Sequence, residues 1–129
     1  MDGCNVKATG EPMSILLVDD EPRLRETLAR ALTAHGYLVE QAGTHREAVA
    51  AALAGDHCLM VIDVNLPDAT GWDVLRDLAA AGKSPPAVVF SAVPPSAARI
   101  REFKPFGVLH KPFPIESLIR LAQKAEERE

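Results

Sequence analysis

Three short apolar runs, Ser14 to Val18 (SILLV), Cys58 to Ile62 (CLMVI) and Ala87 to Phe90 (AVVF), stand out from an otherwise mixed chain. Each is four or five residues long, rich in branched side chains, and does not alternate with polar residues. Unbroken apolarity over so short a span predicts strands buried on both faces, as in a parallel sheet. A weaker run, Tyr37 to Val39, predicts a strand nearer a sheet edge, and Gly107 to Leu109 a short fifth. Between the runs the period lengthens. Leu24, Leu28, Ala31 and Leu32 fall at i, i+4, i+7 and i+8, which predicts a helix from about Pro22 to His35, with proline at its start and Gly36 as its stop. Thr44 to Ala54 has a capping threonine, Glu47 at the capping-box position and Gly55 as its stop. Trp72, Leu75, Leu78 and Ala79 share a face that Gly82 ends, and Ile115, Leu118, Ile119 and Ala122 form a last stripe before a charged end. Pro94 to Phe103, bracketed by prolines, predicts a short helix.

Strand and helix therefore alternate five times. Such connections force parallel neighbours and right-handed crossovers, with helices on both faces. The expected fold is α/β, a flavodoxin-like (βα)5 doubly wound parallel sheet of strand order 2-1-3-4-5. At 129 residues the chain has the size of one domain, expected to run from 14 to 128 behind a loose leader, 1–13. With 47% hydrophobic and 25% charged residues it is neither a disordered tail nor a linker. A net charge of −4 argues against a global electrostatic grip on DNA or an anionic membrane. No apolar stretch approaches a bilayer span, and the first thirteen residues lack the apolar core of a secretory signal. Cys4 and Cys58 make neither a disulfide framework nor a zinc site, so a reducing, cytoplasmic setting is expected, with Cys58 as a small buried apolar residue.

In a sheet of this kind ligands bind beyond the carboxyl ends of the strands. Asp19, Asp20 and Glu21 follow the first strand, Asp63 and Asn65 the third, Ser91 the fourth and Lys111 the fifth. Taken singly, each has an ordinary reading: helix-capping carboxylates, an Asx turn, a loop hydroxyl, a solvated lysine. Together they converge on one crevice. Like charges about 4 Å apart cost roughly 4 kcal/mol per pair even at an effective dielectric of 20. Lys111 offsets part of that, and a divalent cation is the natural source of the rest. Magnesium suits one or two carboxylates with a backbone carbonyl, and no His or Cys sits where a softer metal would want it. Asp63 is also a candidate nucleophile toward phosphorus, with Lys111 and the Ser91 hydroxyl placed to take phosphoryl oxygens.

LLVDDEP, VIDVNLPDATGWDVL, VVFSA and HKPF, in this order at strand ends, resemble the response-regulator receiver domain of two-component signalling over nearly the whole chain. The resemblance implies that Asp63 is the phosphoacceptor, that Asp20 binds Mg²⁺ directly and Asp19 mainly through water, and that the Asn65 main-chain carbonyl completes the protein ligands. It implies Ser91 and Lys111 at the phosphoryl group. It also implies a histidine-kinase or phosphotransfer-protein histidine as donor, self-catalysed loss of the phosphoryl group, and no turnover of an external substrate. A downstream protein partner is expected, with no nucleic acid or membrane bound by this domain, in a monomer or weak homodimer acting as a stand-alone regulator.

Two departures from the family pattern matter. The position three residues before the lysine, usually Tyr or Phe, is Val108, stiff at χ1, so the usual hydroxyl–aromatic switch has no ring there. The interval from Ser91 to Lys111 is about two residues short and holds Pro94, Pro95 and Pro105, so the fourth helix should be short or displaced. Competing readings are an aspartyl-phosphate-forming phosphatase, a nucleotide or flavin binder, and a receiver that binds partners without phosphorylation. The first needs an acid where Asn65 stands, and the second lacks any glycine-rich phosphate loop. The intact set of site residues counts against the third. Trp72 reads as core, and His35, His45, His57 and His110 as surface or boundary groups without ligand spacing.

Overall fold

The computed structural model describes residues 10–127. Five strands, β1 (Ser14–Val18), β2 (Leu38–Ala42), β3 (Leu59–Asp63), β4 (Ala87–Ser91) and β5 (Gly107–His110), form one parallel sheet of order β2-β1-β3-β4-β5. Five helices alternate with them: α1 (Pro22–Ala34), α2 (His45–Ala54), α3 (Gly71–Ala80), α4 (Ala97–Phe103) and α5 (Ile115–Glu127). The unbroken apolar runs explain the double winding. Ile15 and Leu17 of β1, Leu59 and Val61 of β3, and Val88 and Phe90 of β4 pack with Leu28, Leu32, Leu118 and Ala122 of α1 and α5. Their alternate neighbours, Leu16, Val18, Met60, Ile62 and Val89, pack with Ala48, Ala52, Val74 and Leu78 of α2 and α3. Each of these three central strands thus feeds two cores through its two-residue period.

Strand β2 begins one residue later than its apolar run. The amides of Gly36 and Tyr37 bond the carbonyls of Thr33 and Leu32, closing α1 in a Schellman motif with Gly36 at φ 92°. Tyr37 is buried but its N–H belongs to the helix end, so the sheet takes over at Leu38. Leu38 bonds the carbonyl of Met13, itself in the core, whereas residues 1–9 of the expected leader lie outside the described residues.

The α2 cap is Thr44, as expected, but Glu47 reaches past it to the Gly43 amide. A full capping box, Thr70 with Asp73, opens α3. The proline-bracketed helix starts at Ala97 behind the Ser96 cap, has seven residues and buries none of them fully. Cys58 is buried, as expected, but is disulfide-bonded rather than free, its partner lying outside the described residues. His57 is a boundary group, its side chain 6% exposed and bonded to Glu40 at 2.8 Å. Among the described residues no helix is long and apolar enough to cross a membrane.

Candidate functional site

Register places the chemistry at one end of the sheet. Val18 pairs with Ile62, Asp63 with Phe90, and Ser91 with His110, so the carboxyl ends of β1, β3, β4 and β5 lie side by side. Backbone bonds continue the ladders one residue further. Asp19 N–H donates to the Ala42 carbonyl, Val64 N–H to Phe90, and Lys111 N–H to Ser91 at 2.8 Å. The Lys111–Pro112 peptide is cis. Asp19, Asp63 and Ser91 are the three fully buried polar side chains among the described residues, at 0%, 2% and 4% exposure.

One carboxylate oxygen from each of Asp19, Asp20 and Asp63 lies within 4.8 Å of the others, with Asp20 facing solvent. Lys111 Nζ donates to Asp63 Oδ2 at 2.8 Å and stands 5.2 Å from the centre of the Phe90 ring. Asp63 Oδ1 accepts the Asn65 N–H at 3.0 Å. Asn65 also bridges to Thr70, and the Gly71 N–H bonds the Val64 carbonyl, which brings the start of α3 against the acceptor strand. The approach is close enough to demand glycine. A Cβ on Gly71 would lie 2.5 Å from the Asp63 carbonyl oxygen, a backbone atom that cannot step aside. The Ser91 hydroxyl accepts the Val93 N–H at 3.1 Å.

Asp19 is the electrically unusual member. Its Oδ1 accepts the Glu21 N–H, but its Oδ2 is sealed from water without a hydrogen-bond partner. Burial, with the charges of Asp63 and Asp20, raises its pKa to about 6 against the Glu21 amide and Lys111, which pull it down. Burial alone would lower the Lys111 pKa. The hydrogen bond and charge of Asp63, with Asp19 and Glu21, outweigh burial and hold it above its ordinary value. A buried, bare carboxylate oxygen beside two more carboxylates is the signature of a place for a cation: all donors are hard oxygen, as magnesium or calcium require. The residues present therefore fit a hard divalent ion.

Residues 15–123 match the response regulator receiver domain family. The chain belongs to that family. It is 33% identical over 109 residues to the transcriptional regulatory protein CusR of Escherichia coli K12, covering 83% of this chain and 48% of CusR. To the probable transcriptional regulatory protein TcrX of Mycobacterium tuberculosis it is 36% identical over 115 residues, covering 88% of this chain and 49% of TcrX. The chain thus spans about half the length of these relatives. Among solved structures, the response regulator TrrA of Thermotoga maritima, in complex with Mg²⁺–BeF, superposes with a TM-score of 0.78 at 25% identity, over 88% of this chain and 98% of that one. The chemotaxis protein CheY4 of Vibrio cholerae gives 0.81 at 27% identity over 88% and 98%.

The receiver fold brings Asp19, Asp20, Asp63 and Lys111 together, with the Asn65 amide on Asp63, and sets Ser91 at the end of the adjacent strand β4. What the sequence reading missed is the support: Phe90 under the Lys111 ammonium, the Glu21 amide on Asp19, and Arg25, whose guanidinium reaches the Asp19 carbonyl. The apolar run around Phe90 hides one role inside another, and a lone arginine in a helix has no distinguishing neighbours in sequence.

Proposed function

We propose that Asp63 accepts a phosphoryl group from a phosphohistidine of a sensor histidine kinase or histidine phosphotransfer protein, and that the phosphorylated receiver presents a changed surface to a downstream protein. The observation that carries this reading is Lys111 Nζ bonded to Asp63 Oδ2 beside a carboxylate trio with one bare, buried oxygen. A carboxylate oxygen of Asp63 attacks phosphorus in line. The P–O bond forms as the P–N bond to the donor imidazole breaks, and the imidazole leaves with a proton. Water later attacks the same phosphorus, releasing inorganic phosphate and restoring the carboxylate.

The chain's own residues have separate tasks. Lys111 neutralises charge at Asp63 and then at the phosphoryl oxygens. The Ser91 hydroxyl, now accepting from Val93, donates to a third oxygen. Asp19, Asp20, Asp63 and the Asn65 carbonyl would hold Mg²⁺, which supplies electrostatic stabilisation of the transferring group. The Mg²⁺–BeF complex of TrrA supports magnesium as the ion. At position 108 the surface change cannot run through an aromatic ring, because Val108 stands there, 40% exposed. We assign the receiver domain to residues 14–128, with Met13 packed into its core.

Intact-mass measurement after incubation with acetyl phosphate and Mg²⁺ tests the reading. The expected result is a gain of one phosphoryl group that is lost in Asp63→Asn and without the cation. Undiminished labelling of Asp63→Asn would move the acceptor elsewhere.

A further inference from the structure

We propose that Arg25 is a positioning residue for the acidic turn: its guanidinium clasps the Asp19 carbonyl to the end of β2 and so presets the carboxylates of Asp19 and Asp20. This rests on reading the acidic pocket as a cation site. Arg25 lies in the first turns of α1 and is half-buried. Its Nη1 donates to the Asp19 carbonyl at 2.8 Å, and its Nε donates to Gln41 Oε1 at 3.1 Å. Gln41 neighbours Ala42, whose carbonyl takes the Asp19 N–H at 3.1 Å. Asp19 is therefore held through its N–H by β2 directly, and through its carbonyl by a side chain that is itself tied to β2. The turn so fixed ends where the Glu21 carbonyl accepts the Arg25 N–H at 2.9 Å.

Two further observations fit a clasp rather than a plain charge. Arg25 meets Asp19 at its main-chain carbonyl, so its hold on the turn runs through the backbone. Gly43 leaves the room that the guanidinium occupies: a Cβ there would lie 2.9 Å from Nη1, while its φ is not in the left-handed region. Alanine at 43 is thus permitted by the backbone and opposed only by the tip of Arg25, which it would displace without removing. The planar fork, with Nε and Nη1 on two acceptors, is a geometry lysine cannot reproduce.

The test uses two measurements on Arg25→Ala, Arg25→Lys and Gly43→Ala. In metal-free protein, the Glu21 amide should exchange about tenfold faster in Arg25→Ala, and faster than wild type in Gly43→Ala. Unchanged exchange in either overturns the proposal, whatever the cation does. In calorimetric titration with MgCl₂, Kd should rise about tenfold in Arg25→Ala and by a smaller factor in Gly43→Ala, with Arg25→Lys nearer to Arg25→Ala than to wild type. Wild-type affinity in Arg25→Ala, or full rescue by lysine, overturns the clasp. Wild-type Mg²⁺ binding that survives Asp20→Ala would instead sink the reading of the pocket, and the exchange rates would still decide what Arg25 does.

Discussion

A carboxylate with one oxygen bonded and the other bare, shut off from water, keeps its proton to higher pH than an ordinary carboxylate does. Asp19 is such a group, and its pKa near 6 has a consequence for stability. Below about pH 4 it is protonated in both the folded and the unfolded chain. Between about 4 and 6 the folded protein holds a proton that the unfolded chain has lost, so stability falls as pH rises through that window. Above pH 6 the cost stays constant. In chelator-treated protein, Asp19→Asn should therefore gain stability over wild type as pH rises from 4 to 6, by at most about 1.4 kcal/mol per pH unit for one proton. Urea midpoints of the two proteins measure this, and a pH-independent difference would show that Asp19 titrates normally. The types of the site residues were legible in the sequence because each directly follows an apolar run. The burial that shifts Asp19 was not, since it depends on β2 and β3 closing over it from either side.

The elements are joined by side chains that finish another element's hydrogen bonding. Lys83, just beyond the C-terminus of α3, sends its Nζ to the carbonyls of Ala52 at 2.9 Å and Gly55 at 2.7 Å, closing the end of α2. Asp68, in the loop after β3, accepts the N–H groups of His45 and Arg46 at the start of the same helix, and those bonds hold its carboxyl below the usual range. Helix α2 is thus capped at both ends from elsewhere. Lys83→Ala should destabilise by about 1.5–3 kcal/mol, the range for hydrogen bonds to a charged group, and should leave phosphoryl incorporation at Asp63 intact. Chemical denaturation together with the labelling assay checks both halves; unchanged stability would mean that water replaces the ammonium. Helix α4 illustrates the other case. Prolines on either side announced a short helix, but its attachment was not legible: Phe103 stacks on Trp72 at 5.1 Å, and Arg76 lies over the same ring. Trp72 is core, as its helical spacing suggested, and is also the surface that receives α4.

For the molecule as a whole, a cation that binds the folded receiver and not the unfolded chain must stabilise it. Mg²⁺ at one hundred times its Kd should add about 2.7 kcal/mol, and the gain should vanish in Asp20→Ala. Thermal or urea unfolding with and without the ion measures it, and an equal gain in the variant would place the ion elsewhere. Chain order and local period by themselves determined the alternation of five strands and five helices, because doubly buried strands must be apolar throughout and their covering helices must be striped. They also determined which polar residues stand at the strand ends, and so the kind of chemistry available. Only the tertiary structure decided how near those residues come and what supports them: the 2.8 Å bond from Lys111 to Asp63 across 48 residues, the bare oxygen of Asp19, the gap that Gly71 leaves for α3, and the hold of Arg25 on a carbonyl. These depend on distances between segments remote in the chain, which packing sets and no local pattern encodes.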